Sequence, residues 1–190
     1  MSSLKLAATG GGGTVELKGP AATPNNAART IQLPNGAGVI VQVVQTLKTD
    51  VFTTNTEDSW VDVTGMSVSI TPTSTNSKIL ISLNTNVSNG SSVLHMAQIL
   101  RGSTAIGVDT FASVEHASAI FDSESDDTSD RSRNVGHMKI ELLDSPSTTS
   151  ATTYKMQLWK NASGNMHVNR RALNTAVGAT STITAYEVAG

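Results

Sequence analysis

From residue 37 onward, apolar and polar residues alternate along the chain in short segments, and this alternation predicts β-strands. The clearest segment is His137 to Leu143, in which Met138, Ile140 and Leu142 alternate with polar or charged residues. Residues that favour turns separate the segments, so we expect roughly eight to ten strands. The same alternation gives further inward-facing sets: Met66, Val68 and Ile70; Ile79, Ile81 and Leu83; Tyr154, Met156 and Leu158; Ile183 and Ala185, opposite Tyr186 and Val188.

Two segments are apolar at consecutive positions instead of alternate ones. Val39 to Val44 is interrupted only by Gln42, which predicts a strand buried on both faces. Val93 to Arg101 carries apolar residues on both faces and is predicted to be a central strand, and Phe111 to Phe121 is a further candidate strand. No segment has a 3.6-residue apolar period, so little or no helix is expected. The pattern predicts an all-β fold with a jelly-roll β-sandwich head at residues 37–190.

The first 36 residues differ from this head. They contain very short alternating pieces, separated by turn signals such as Gly10 to Gly13 and Pro34-Asn35-Gly36. Strands this short cannot form a core alone. The segment is therefore either a flexible linker or a β segment that buries its apolar residues against other copies, and its regular L-x-L spacing favours the second interpretation. The residues predicted to form this attachment and trimerisation segment are Leu4, Leu6, Val15, Leu17, Ile31 and Leu33.

Composition narrows the possible function. Charged residues make up 15% of the 190 residues, well below the roughly 25% of an ordinary soluble domain. The net charge of -2 disfavours non-specific nucleic-acid binding, which needs a basic surface. The chain has no cysteine, which excludes disulfides, thiolate metal sites and a cysteine nucleophile. No segment is apolar over the length of a signal peptide or a transmembrane span, so no membrane insertion is expected.

A search for catalytic or metal-binding motifs gives no strong candidate. No pair of histidines has metal-ligand spacing. The four histidines are therefore interpreted as isolated surface or interface residues and not as a metal site. The acidic stretch 121–130 lacks the EF-hand spacing and is predicted to be a solvated loop. The run Gly10 to Gly13 is not followed by the Lys-Ser/Thr of a phosphate loop, and no G-x-S-x-G elbow is present. We therefore expect no catalytic residue, metal or cofactor. The histidines are His95, His116, His137 and His167.

Trp159 is the most conspicuous aromatic residue. Strand alternation places it with Lys155 and Gln157, opposite the predicted core face, so it is expected to be exposed on the isolated chain. An exposed aromatic among polar groups can be buried between subunits or can stack on a sugar. The first interpretation is favoured. If the second holds, Asp122 and Asp127 in the acidic loop are further candidates for sugar contacts.

Several segments together carry a resemblance to a known family. GGGTVELKGP, VVQTLKTDVFTT, WVDVTGMSVSITPTSTNSKILI, ILRGSTAIG, LLDSPSTTSATTYKMQLW, VNRR and STITAYEVAG resemble virion fibre and tail-fibre-like proteins of marine tailed bacteriophages. The resemblance covers nearly the whole chain, and residues 102–130 depart from it most. It implies a homotrimer in the virion, made in the bacterial host cytoplasm. In such a trimer the N-terminal strands intertwine about a three-fold axis, and the head is a jelly roll of the tumour-necrosis-factor type.

Three functions follow from these expectations. The first is a structural virion fibre, anchored to capsid or tail proteins by residues 1–36 and projecting a β head. The second is a receptor-binding, lectin-like head in which loops around 102–130 and 160–165 contact host surface glycan. The third is a polysaccharide depolymerase, which is disfavoured because the chain has room neither for a long β-helical body nor for a fixed carboxylate pair.

Overall fold

The computed structural model describes residues 3–7, 14–18, 38–90, 94–112, 116–122, 133–161 and 163–190, with backbone only for 3–7, 14–18 and 122. The chain forms two compact units, Met1–Pro34 and Asn35–Gly190. No helix occurs in the described ranges, which confirms the all-β expectation. Accordingly, none of the described segments is a helix that could cross a membrane.

The first unit contains an antiparallel pair of strands, β1 (Ser3–Ala7) and β2 (Thr14–Lys18). Leu4 lies opposite Leu17, and Leu6 lies opposite Val15. Two of the predicted short segments correspond to β1 and β2, which pair with each other within one chain. Packing of their side chains against other copies stays a prediction, and Ile31 and Leu33 lie outside the described residues.

The second unit is a sandwich of two antiparallel sheets, as predicted. In each sheet, strands distant in sequence lie side by side, as in a jelly roll. The first sheet contains, in spatial order, β3 (Ile40–Lys48), β13 (Ser181–Val188), β6 (Lys78–Asn89), β12 (Met166–Val168) and β4 (Phe52–Thr54), and β10 (Gly136–Asp144) also pairs with β6. The second contains β5 (Val61–Ile70), β11 (Thr152–Lys160), β7 (Leu94–Arg101) and β8 (Thr104–Ile106), and β9 (Ala119–Asp122) also pairs with β7.

The core lies between the two sheets and is mostly aliphatic. The inward-facing sets predicted for β5, β6, β10, β11 and β13 are confirmed, with only Leu142 partly rather than fully buried. Each fully buried aliphatic side chain contributes about 1.5–3 kcal/mol relative to an exposed one. The central position predicted for β7 is also confirmed, because it lies between β11 on one side and the short strands β8 and β9 on the other.

Three sequence expectations differ from the structure. Val39 to Val44 is not buried on both faces, because β3 is an edge strand whose outer face is open to solvent. The two strands predicted around Thr64 and Gly65 are one strand, β5, with a bulge at which Gly65 adopts a φ of 82°. Of the predicted strand from Phe111 to Phe121, residues 119–121 belong to β9, and the other described residues, 111–112 and 116–118, are not in a strand.

Candidate functional site

An apolar row crosses the outer face of the first sheet, perpendicular to its strands. Val43 on β3 lies opposite Tyr186 on β13, Tyr186 lies opposite Leu80 on β6, and Leu80 lies opposite Leu143 on β10. Residues directly opposite one another in neighbouring strands point to the same face. Four apolar or aromatic side chains from four strands therefore form one continuous line across the sheet. We call this set, Val43, Tyr186, Leu80 and Leu143, the apolar row.

The apolar row is accessible, although its members are hydrophobic. Val43 is 53% exposed and Leu143 is 55% exposed, while Tyr186 and Leu80 are half-buried between them. Val41 extends the surface toward the start of β3 and is 45% exposed. With strands about 4.8 Å apart, four strands give a surface roughly 15–20 Å wide.

Toward the end of β3, the next row of the same face is polar, and the row after it contains the exposed Leu47 beside polar residues. Gln45, Thr184, Ser82 and Glu141 lie side by side, and Gln45 Nε2 donates to Thr184 Oγ1 over 2.8 Å. In the row after that, Lys139 on β10 forms an ion pair of 3.0 Å with Glu141. Both of these side chains are about half exposed, so the pair contributes little to stability. The face therefore combines an apolar row with a polar border.

Glu187 follows Tyr186 in β13, points to the opposite face of the sheet, and fixes the end of the strand. Its buried carboxylate accepts hydrogen bonds from Gln42 Nε2 at 2.6 Å and from the Thr73 backbone N–H and hydroxyl, both at 2.7 Å. Burial by itself would raise the pKa of Glu187, but hydrogen bonds from Ser77, Thr73 and Gln42 lower that pKa to about 2. Gln42 belongs to β3, so this carboxylate ties together β3, β13 and the turn before β6.

The sequence predicted that Trp159 would be exposed, and this prediction is wrong. It is 7% exposed and packs with Met96 and Ala117 on the outer side of the second sheet, with Trp60 and Leu94 beside them. Ala117 is held in this position by Asp109, whose carboxylate accepts hydrogen bonds from the backbone N–H groups of Phe111, Ala112 and Ala117. Because the indole is covered within its own chain, it offers no open face for sugar stacking.

The other predicted receptor residues cannot be placed as a site. The backbone of Asp122 ends β9, where it pairs with Leu94, and its side chain is not described. Asp127 lies outside the described residues. Their role in ligand binding stays a prediction.

The sequence predicted four isolated surface or interface histidines, but two of the four are buried within the head. His95 and His167 are buried, while His116 and His137 are exposed. Burial and the positive charge of Arg170 both lower the pKa of His167, so the ring is neutral near pH 7. Its Nδ1 lies 2.9 Å from Thr53 Oγ1. Across the described ranges, no three metal-ligating side chains converge.

No family model and no curated protein matches this chain. Among solved structures it is similar to infectious bursal disease virus of the Gx strain, with 14% identity and a TM-score of 0.41, covering 98% of this chain and 50% of that chain. It is also similar to a D431N mutant VP2 protein of the same virus in T=1 particles, with 13% identity, a TM-score of 0.41 and coverage of 97% and 44%.

A structure of the Gt strain of this virus shows the same degree of likeness, with 14% identity, a TM-score of 0.40 and coverage of 99% of this chain and 47% of that chain. The chain thus spans about half the length of the solved chains that it matches, or less. The likeness is remote and assigns no function.

Proposed function

We propose that this chain is a virion structural protein, a fibre whose β heads associate as a homotrimer through the outer face of the first sheet. The observation that carries this proposal is the apolar row from Val43 to Leu143. Contiguous exposed apolar surface with a polar border is typical of protein–protein interfaces. The three-fold stoichiometry and the virion location rest on the family resemblance of the sequence.

The described strands support this assignment in a second way. In β3, the outward-facing positions Val41, Val43 and Leu47 are apolar and between 45% and 56% exposed. An edge strand with an apolar outer face is an aggregation hazard unless it is covered. A closed oligomer buries this surface in every copy. No copy then exposes it to a further chain, so the assembly cannot grow.

Light scattering coupled to size-exclusion chromatography tests the oligomeric part of the proposal. The full chain should elute with three times the 19.8 kDa mass of one chain. Val43→Lys places a charge at one end of the apolar row, which the trimer would bury, so we expect it to shift the population to monomer. Thr104→Lys, at an exposed position of β8 in the other sheet, is the matched control and should remain a trimer.

Two results would contradict this proposal: a monomeric wild-type chain, or a Val43→Lys variant that stays as trimeric as Thr104→Lys. The virion location is tested separately, by immunogold labelling of particles of the virus that encodes the chain. Labelled projections on capsid or tail are expected, and particles without label would exclude a virion role.

A further inference from the structure

A groove containing two arginines lies at one end of the sandwich. It is formed mainly by the connection between β12 and β13, and its volume is about 230 Å³. Arg170 and Arg171 line it together with Val135, Val177 and the short residues Gly178 and Ala179. An adjoining depression of about 290 Å³ shares Arg170 and the wall from Val177 to Ala179, and adds Thr49, Thr175 and Thr180.

Among the described residues, the two guanidinium groups have only neutral partners. In the described part of the chain, neither Arg170 nor Arg171 contacts a carboxylate. Their hydrogen bonds go instead to neutral groups of the same connection. Arg170 Nε donates to the Arg171 carbonyl at 3.0 Å, Arg170 Nη2 donates to the Ala172 carbonyl at 3.1 Å, and Arg171 Nε donates to Asn174 Oδ1 at 2.9 Å. Within the described part of the chain, each arginine therefore has donors to spare, and these bonds hold its side chain in place.

The backbone beneath the groove is firmly attached to the sandwich. Asn169 is buried and donates through Nδ2 to the carbonyls of Lys48 and Asp50, at 2.9 and 3.0 Å. Ser88 Oγ donates to the Arg170 carbonyl at 2.5 Å, and Arg170 forms a β-bridge with Gly178. A ligand would meet groups that are already positioned, which reduces the entropy lost on binding.

The lining indicates the chemistry of the ligand. A pair of arginines matches a carboxylate, which can accept paired hydrogen bonds from guanidinium groups. The exposed Thr49, Thr175 and Thr180 hydroxyls, none of which bonds to a described residue, suit a ligand rich in hydroxyl groups. A peptide is less suited, since β12 is paired on both sides, with β4 and β6, and offers no edge for strand addition.

We propose that this groove binds a carboxylate-bearing saccharide, a hexuronate unit whose carboxylate contacts Arg170 and Arg171 and whose hydroxyls contact the threonines. The groove lies at the end of the sandwich where β3 ends, at Lys48, and where β13 begins, at Ser181. The head begins at the opposite end of the same two strands, where Gly38 N–H donates to the Ala189 carbonyl. The groove and Gly38 therefore lie at opposite ends of β3 and β13.

Titration calorimetry of the full chain with an α-1,4-linked galacturonic acid trisaccharide tests the proposal. The trisaccharide should bind, and its neutral methyl ester should not. Arg171→Gln removes one charged donor and should weaken binding by about tenfold or more, which is the effect of losing one hydrogen bond to a charged group. Lys139→Gln removes the same charge from the outer face of the first sheet and should leave binding unchanged.

Four results would overturn the proposal: no binding of the trisaccharide, equal binding of its ester, an equal loss in Lys139→Gln, or displacement of the trisaccharide by inorganic sulfate at equal concentration. The last result would mean that any small anion suffices. The inference is independent of trimer formation. Binding by a wild-type chain that proves to be monomeric would support the groove even though the trimer proposal had failed.

Discussion

Glu187 is a residue whose charge the fold depends on. Its pKa of about 2 lies below the ordinary 4.5, because four donors from Ser77, Thr73 and Gln42 outweigh the effect of burial. A carboxyl group with a lowered pKa in the folded state stabilises the fold above its ordinary pKa. This contribution is lost as the pH falls from 4.5 toward 2.

We therefore expect Glu187→Gln to lower the free energy of unfolding near pH 7 by about 2 kcal/mol. The glutamine would accept neutral hydrogen bonds in place of charge-assisted ones. Its amide NH2 would also face a donor and leave that donor without an acceptor. The difference from wild type should shrink between pH 4.5 and pH 2, and urea unfolding at several pH values measures it. Glu141→Gln, an exposed control, should show almost no difference at any pH. An offset for Glu187→Gln that does not change with pH would contradict this account.

At the scale of elements, the connection from Asn169 to Thr180 depends on one buried side chain. Asn169 has a φ of 68°, a conformation that asparagine tolerates better than most residues. Its Oδ1 accepts a hydrogen bond from Ser181 Oγ at 2.5 Å, and its Nδ2 donates to two carbonyls near the end of β3. The connection is thereby tied to both β3 and β13.

Asn169→Ala should loosen this connection while the sheets persist. Alanine loses three hydrogen bonds and also strains the backbone, whereas Asn169→Gly loses the bonds without the strain. We expect a loss of about 2–3 kcal/mol for glycine and about 1 kcal/mol more for alanine. Amide hydrogen exchange should increase across residues 170–180 and change little in β6 and β11. Asn165→Ala, at an exposed position, is the control, and equal exchange in all three variants would contradict this role.

The strands show which parts of a fold a sequence can predict. In β10, polar residues face solvent and apolar residues face the core, so alternation alone gave the strand and its inner face. In β3 the same reasoning failed, because apolar residues on an outer face have the same pattern as residues buried on both faces. The apolar row could not be found from sequence, since it depends on the register of β3, β13, β6 and β10.

Trp159 illustrates a second limit at this scale. Alternation correctly placed it on the outer side of β11, but Ala117, in the irregular stretch 116–118, packs against it there. The hydrogen bonds that shape this stretch converge on Asp109, whose pKa is lowered to about 2, chiefly by the backbone N–H groups of Ala112 and Ala117. No periodic pattern marks such a stretch, so its effect on the exposure of Trp159 could not be predicted.

For the whole molecule, two different parts of the chain are candidates for holding a trimer together. The head would do so through the apolar row, and the predicted N-terminal segment would do so through Leu4, Leu6, Val15, Leu17, Ile31 and Leu33. The structure pairs β1 with β2 within one chain, and the unit Asn35–Gly190 has its own core between two sheets. The head therefore has the core it needs to fold without residues 1–34.

A chain shortened to residues 35–190 separates these two possibilities. Because the apolar row lies entirely within the head, we expect the shortened chain to give the circular dichroism spectrum of a β protein and the mass of a trimer by light scattering. Its thermal midpoint should rise with protein concentration, since dissociation accompanies unfolding. Val43→Lys in the same shortened chain serves as the monomeric reference, whose midpoint should not depend on concentration. A folded but monomeric shortened chain would instead assign trimer formation to residues 1–34 and leave the apolar row for a different partner.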